Sequence, residues 1–102
     1  MMWVFVSFDL PVQTDRQRRA YTRFRKTLIK DGFVMQQYSL YIRHCGSREQ
    51  AQVHQERVRK ALPPAGKVMM YMITDRQWGM VETFFGPQRE AKRGSPGQLM
   101  IF

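Results

Sequence analysis

Residues 3–11 read WVFVSFDLP, and this stretch decides how the chain folds. Side chains of a β-strand alternate between the two faces of its sheet, so the stretch divides into two sets. One set is Val4, Val6 and Phe8, and the other is Trp3, Phe5, Ser7 and Asp9. Both sets contain large apolar side chains, which is typical of a strand buried on both faces. The sequence therefore predicts a central strand here.

Asp9 stands where that strand ends, just before Leu10 and Pro11. Aspartate near proline is common in turns, where the carboxylate is solvated or caps a helix. A carboxylate at the edge of a sheet can also bind a metal ion or act as an acid or base in catalysis. The residues around Asp9 leave both interpretations open.

The charge balance indicates a polyanionic partner. The 102 residues include 17 lysines and arginines against 8 aspartates and glutamates, a net charge of +9. Such a protein is expected to bind nucleic acid first and an anionic membrane surface second. The length fits one domain with a modest core.

Membrane insertion and disulfide or zinc stabilisation are not expected. No apolar run approaches the roughly 20 residues of a membrane-spanning helix, and the first residues lack the features of a secretory signal. We therefore expect a cytoplasmic protein that is not bound to a membrane. Cys45 is the single cysteine, and with only His44 beside it the pair falls short of a zinc site.

A first helix is predicted to begin at a cap formed by Thr14 and Asp15 and to run to Asp31, with Gly32 as its stop. At 100° per residue it carries an apolar stripe and, well apart from it, a basic stripe. The apolar stripe is Gln17, Ala20, Tyr21, Phe24 and Leu28. The basic stripe is Arg16, Arg19, Arg23, Lys26 and Lys30, with Arg18 and Arg25 on its flank. Repulsion among these like charges favours an external anion over a merely solvated helix face.

The rest of the chain supplies three more strands and a second helix. We predict strands at residues 33–35, 40–43 and 68–74, and a helix that opens at Ser47 and ends before Pro63. Ser47 and Gln50 match a capping box. His54 lies on the apolar face of this helix and is interpreted as a core histidine, because no second metal ligand accompanies it.

The resulting order, βαββαβ, predicts a ferredoxin-like α+β fold. Its antiparallel sheet has the spatial order 4-1-3-2, with both helices on one face. Two helices cover only one face, yet strands one and four are apolar on both. The helix-free face therefore favours a partner chain, and a homodimer through that face is the simplest solution.

This topology collects a carboxylate, a hydroxyl, an amide and several cations at one edge of the sheet. They belong to Asp9, Ser39, Gln37, Arg16, Arg18 and Arg19. His44 and Asp75 fall at the opposite edge. The edge that holds Asp9 is thus the predicted functional edge.

The C-terminal part divides in two. Residues 75–79 are predicted as a turn and residues 80–85 as an additional strand, which completes a domain over residues 1–86. Residues 87–102 are interpreted as a basic linker followed by an apolar tail. We expect Leu99 to Phe102 to serve as an added strand or as a docking peptide, because a free apolar tail favours aggregation.

Several segments together resemble CRISPR-associated protein 2, the small protein of the machinery that acquires CRISPR spacers. They are SFDLP at residues 7–11, the arginine-rich first helix, the GF strand that leads into QYSLY at 37–41, and TDRQ at 74–77. The resemblance spans about residues 2–86, and the ordered set is more specific than any one motif.

The resemblance implies a homodimer in which the Asp9 carboxylates of the two protomers face each other and hold one Mg²⁺ per dimer. It implies nuclease action on RNA or DNA, and a place at the centre of a complex with CRISPR-associated protein 1, the integrase. It also implies that the strand after the fourth, residues 80–85 here, pairs with the partner protomer.

Three functions remain open. In an enzyme, the Asp9 pair would hold Mg²⁺, which activates water and polarises a phosphate, while Ser39 and Gln37 orient the substrate. In a scaffold, the basic stripe and Arg18 would hold duplex DNA through phosphate contacts while the integrase performs the chemistry. Many cations and few acids favour the scaffold, and the resemblance favours the nuclease. An RNA-binding module would need exposed aromatics on the helix-free face, which a dimer would cover.

Overall fold

The chain forms four strands and three helices within residues 1–86, the part that this computed structural model describes. In chain order they are β1 (Met2–Asp9), α1 (Asp15–Lys30), β2 (Val34–Gln37), β3 (Leu40–Cys45), α2 (Arg48–Lys60), β4 (Lys67–Thr74) and α3 (Asp75–Gly79). The predictions made for residues 87–102 lie outside the described residues.

The sheet has the order β2-β3-β1-β4, and every neighbouring pair is antiparallel. This is the predicted spatial order, so the ferredoxin-like fold is confirmed. Strand β1 pairs with β3 from Met2 to Ser7 and with β4 along its whole length. The prediction that this strand is central is therefore correct.

Both long helices pack on the same face of the sheet and build the core. Val4 and Val6 of β1 are completely buried there. They cluster with Phe24 and Leu28 of α1 and with Val58 of α2, among others. Each such side chain contributes roughly 1.5–3 kcal/mol by its removal from water. The apolar stripe predicted for α1 is thus the face that meets the core.

The ends of the helices follow their local sequence closely. Thr14 and Gln17 form a capping box at the start of α1, and Gly32 after its C-cap takes a φ of +91°. At α2, the Ser47 side chain accepts a hydrogen bond from the backbone of Gln50, as predicted. The Gln50 side chain reaches one residue further back and accepts from the backbone N–H of Gly46 at 2.9 Å.

His54 is buried in the core, as predicted, and it has a partner that the sequence did not reveal. Its Nδ1 lies 2.7 Å from a carboxylate oxygen of Asp31, and Arg57 donates to the other oxygen at 2.7 Å. Burial alone would raise the pKa of Asp31, but the hydrogen bonds from His54 and Arg57 outweigh it and hold that pKa below its ordinary value. This network fixes the end of α1 against α2.

The helix-free face is partly covered from within the chain. Residues 75–79 are the short helix α3 rather than a simple turn, and its Trp78 packs edge-on against Phe5. Phe5 is consequently only 6% exposed, while Met69 of β4 remains 49% exposed. The chain thus covers part of this face itself, and the homodimer through the face stays a prediction.

The additional strand predicted at residues 80–85 is absent from the single chain: within the described residues, Met80 caps α3 and 81–85 have no regular secondary structure. A short apolar run becomes a strand only beside another strand. Here one of its side chains, Phe85, is buried without strand pairing. None of the helices within residues 1–86 is long and apolar enough to span a membrane.

Candidate functional site

Asp9 is the exposed last residue of β1. Within residues 1–86 its carboxylate takes part in no hydrogen bond or ion pair. The interpretation of Asp9 as a helix cap is excluded, because Thr14 caps α1. A carboxylate left open at the end of a central strand is available to a cation or a substrate.

The other side of this sheet end is formed by the start of β4. Lys67 stands directly opposite Asp9 in the antiparallel register, so both side chains project from the helix-free face. Gly66 precedes it with a φ of +94°, and a Cβ built there would lie 2.8 Å from the carbonyl oxygen of Asp9. The backbone thus approaches Asp9 so closely that only glycine fits.

The β2–β3 hairpin borders Asp9 on its other flank. Its turn is residues 38–39, and the Ser39 carbonyl accepts a hydrogen bond from the backbone of Phe8 at 3.0 Å. Ser39 has a φ of 63°, an uncommon conformation for a residue with a side chain. Gln37 pairs with Leu40, and its strand is two steps from β1, or roughly 10 Å. The structure therefore places Ser39 beside Asp9 and Gln37 farther away, and their roles in orienting substrate stay predictions.

Two tyrosines meet at this hairpin. Tyr38 is 76% exposed at the turn. Tyr21 of α1 packs against Phe8, with ring centroids 6.1 Å apart. Burial raises the pKa of Tyr21, and the neighbouring phenols of Tyr38 and Tyr41 act in the same direction. Tyr38 therefore lies beside helix α1, on the hairpin that borders Asp9.

The basic stripe is a continuous exposed surface. All five of its residues are exposed, and no ion pair within residues 1–86 involves them. The two flanking arginines differ from the stripe. Arg18 pairs with Asp15 and donates to the carbonyls of Val12 and Gln13, and Arg25 donates to the hydroxyl of Tyr41 at 2.8 Å. Arg18 and Arg25 thus serve the fold, and the five stripe residues keep their charges available.

The opposite edge of the sheet holds His44 and Asp75, as predicted. The Nε2 atom of His44 lies 3.0 Å from Asp75 Oδ1, and the indole of Trp3 donates to the same oxygen at 2.7 Å. This cluster attaches the first residue of α3 to the sheet. Cys45 nearby is buried, and burial raises the pKa of its thiol.

The profile of the protein family described as "CRISPR associated protein Cas2" matches residues 2–81. The chain belongs to the Cas2 family. The resemblance based on SFDLP, QYSLY and TDRQ is thereby confirmed.

Curated relatives of this Cas2 chain are similar over nearly its whole length. The protein named CRISPR-associated endoribonuclease Cas2 of Parvibaculum lavamentivorans is 48% identical, with 99% of this chain and 100% of that protein covered. The protein of the same name from Flavobacterium psychrophilum is 46% identical, with 99% and 88% covered.

The crystal structure of Streptococcus pyogenes Cas2 at pH 6.5 supports the fold. It aligns with a TM-score of 0.60 at 20% identity and covers 82% of this chain and 99% of that chain. At this level of identity the likeness concerns the fold alone.

Two residues at the Asp9 edge of this Cas2 chain were not predicted from the sequence. Lys67 could not be placed opposite Asp9 before the register of β4 was known. Gly66 offered a signal, because a glycine just before a strand marks a close backbone approach or a positive φ.

Proposed function

We propose that this protein is a metal-dependent endoribonuclease of a CRISPR system, and that its active centre forms where the Asp9 carboxylates of two protomers meet. The observation that carries the proposal is the exposed carboxylate of Asp9 at the end of the central strand, which has no partner within residues 1–86. It occurs in a chain whose relatives, up to 48% identical, are named endoribonucleases.

A metal ion bound by Asp9 would be shared between the two chains of a dimer. Within residues 1–86 no group of three or more His, Cys, Asp or Glu side chains could hold a metal ion. Carboxylate oxygens suit Mg²⁺, which is commonly held by one or two carboxylates together with waters and substrate phosphate. The Asp9 pair of a homodimer therefore fits one Mg²⁺ per dimer.

The same side chains favour a homodimer through the helix-free face. Asp9 and Lys67 project from this face, and Met69 and Tyr71 on it remain 49% and 39% exposed. Burying such apolar side chains favours association, and a two-fold axis at their end of the sheet would bring the two Asp9 residues together. Light scattering in dilute solution should give the mass of a dimer, and a folded monomer would contradict it.

When bound, Mg²⁺ would polarise a phosphate of the substrate and activate a water. The chain's own side chains would attract and orient the substrate. The Lys67 ammonium, opposite Asp9, would attract the phosphate and offset repulsion between the two carboxylates. The Ser39 hydroxyl, on the strained turn, would donate a hydrogen bond to the substrate. The more distant Gln37 amide would orient an adjacent part of the substrate.

The experiment that tests this proposal compares cleavage of single-stranded RNA, single-stranded DNA and duplex DNA by the purified chain. Cleavage of RNA that requires Mg²⁺ and stops with a chelator is expected. Cleavage unaffected by the chelator, or no cleavage of any substrate, would overturn it.

The basic stripe favours a second function in the same protein, which is to hold duplex DNA during spacer acquisition together with CRISPR-associated protein 1, the integrase. Five exposed cations on one side of α1 occur twice in a dimer. They can contact phosphates without reading base sequence. Arg18, committed to Asp15 and to backbone carbonyls, contributes less to this surface.

Replacing Arg16 and Arg19 together by alanine should weaken duplex binding and flatten its salt dependence. The logarithm of the binding constant falls with the logarithm of salt concentration by about 0.9 per phosphate contact, and the double variant removes up to roughly four contacts per dimer. Titrations at several salt concentrations on two unrelated duplexes measure the slope. The loss should be similar for both duplexes.

A matched control removes two positive charges from helix α2 instead of helix α1. Arg48 and Lys60 are exposed on α2 and form no ion pair within residues 1–86. Their double alanine variant should keep most of the slope. A slope unchanged in the Arg16 and Arg19 variant, or lowered equally in both variants, would show that the stripe is only a solvated helix face.

A further inference from the structure

Tyr38 is the most exposed large apolar side chain within residues 1–86, at 76%. It stands in a two-residue turn, where small polar residues and glycine are preferred. Its ring adds nothing to the core, yet it is held at a defined place by the strands on either side of the turn. An exposed ring on a rigid turn is a ready surface for stacking.

The turn also fixes the distance between this ring and the proposed active centre. Ser39 O and Phe8 N are 3.0 Å apart. Tyr38 and Asp9 are the chain neighbours of those two residues, each about one Cα step of 3.8 Å away, so their Cα atoms lie within roughly 15 Å of each other. That separation suits a nucleotide base and a neighbouring phosphate on the same strand.

Tyr38 and Asp9 lie on opposite sides of the sheet end. Tyr38 lies beside Tyr21 of α1, on the helix side. The Asp9 side chain shares the helix-free face with Lys67. A nucleic-acid strand that passes over this edge would meet the carboxylate first, then the tyrosine ring, and then helix α1 with its cations.

An exposed aromatic ring of this kind can bind the unpaired bases of single-stranded nucleic acid. Unpaired bases stack on exposed aromatic side chains, whereas the bases of a duplex are already stacked and paired. We propose that Tyr38 is a stacking platform for one unpaired nucleobase of an RNA strand whose phosphate lies at Asp9. The choice of RNA rests on the proposed function, but the stacking itself does not.

Tyr38 in this role is a specificity residue. It makes the Asp9 edge prefer single strands to duplexes, while the basic stripe binds both through phosphates. One protein can therefore hold a duplex on α1 and engage an unpaired strand at the end of the sheet.

The test measures binding of three oligonucleotides by Tyr38→Ser and Tyr38→Phe in the presence of a chelator. The oligonucleotides are a single-stranded RNA, the same RNA with abasic sites, and a duplex of equal length. Tyr38→Ser should weaken binding of the intact single strand by about ten-fold, the usual size of one lost stacking contact. Binding of the abasic strand and the duplex should not change, and Tyr38→Phe should bind all three like the wild type.

Thermal melting checks that both variants fold. We expect that they do, because Tyr38 is exposed. Equal affinity of wild type and Tyr38→Ser for the intact single strand would overturn the proposal. So would an equal loss on the abasic strand. Because the assay contains no metal, these results do not depend on cleavage. Base-dependent binding that survives in Tyr38→Ser overturns the role of Tyr38, whereas normal binding by a chain that never cleaves overturns the nuclease.

Discussion

Asp9→Asn should abolish Mg²⁺-dependent cleavage of RNA, with a loss of at least about 100-fold, the order of magnitude that removal of one catalytic electrostatic group costs. Asparagine keeps the shape of the side chain but lacks the charge that holds a hard cation. RNA affinity measured with a chelator should stay unchanged or rise, since a negative charge near the phosphates is lost. The fold should survive, because Asp9 is exposed and unpaired within residues 1–86.

Glu49→Gln provides the control for this substitution. Glu49 is an exposed carboxylate in the first turn of α2, away from the Asp9 edge. Its neutralisation changes the net charge by the same amount and should leave cleavage intact. Cleavage that persists in purified Asp9→Asn would place the activity on other residues or in a contaminant.

Gly66→Ala should produce the largest loss of stability among conservative changes at this edge. An alanine at a φ of +94° is strained by about 1–2 kcal/mol. Its Cβ would also lie 2.7 Å from Leu10 Cδ2 and 2.8 Å from the Asp9 carbonyl oxygen. Relief requires movement of backbone, and overpacking of this kind adds roughly 1–3 kcal/mol. The free energy of unfolding, measured by denaturant titration, should fall by a total of about 2–5 kcal/mol.

The same substitution should reduce cleavage in the fraction that folds, because the added Cβ would displace the backbone of Asp9 itself. Gly79→Ala is the matched control, since a Cβ there meets nothing within 4 Å and the residue belongs to α3. It should be neutral or slightly stabilising. Equal stability of Gly66→Ala and wild type would contradict the close approach at the start of β4.

Much of the fold could be predicted because its signals are local. The alternation of apolar residues in β1, the Thr14 cap and Gly32 stop of α1, and the order of elements together defined the sheet. The same logic placed Asp9 and Ser39 at one edge, since strands one and two of this fold run in the same direction.

What the sequence could not supply depends on contacts between distant residues. The packing of Trp78 on Phe5 covers part of a face that alternation alone suggested was open. The bond between His54 and Asp31 joins residues 23 positions apart on two helices. The position of Lys67 opposite Asp9 required the register of β4. No periodic pattern encodes these three relations.

The central claim is that one active centre uses Asp9 from both chains, and subunit mixing tests it most directly. Wild-type and Asp9→Asn chains are mixed at constant total concentration, and cleavage of RNA is measured after subunit exchange, with differently tagged chains verifying that mixed dimers form. If the centre is shared, only dimers of two wild-type chains cleave, so the rate follows the square of the wild-type fraction and is about one quarter at equal mixing. A rate that falls linearly, to about one half at equal mixing, would show one independent centre per chain and contradict the account.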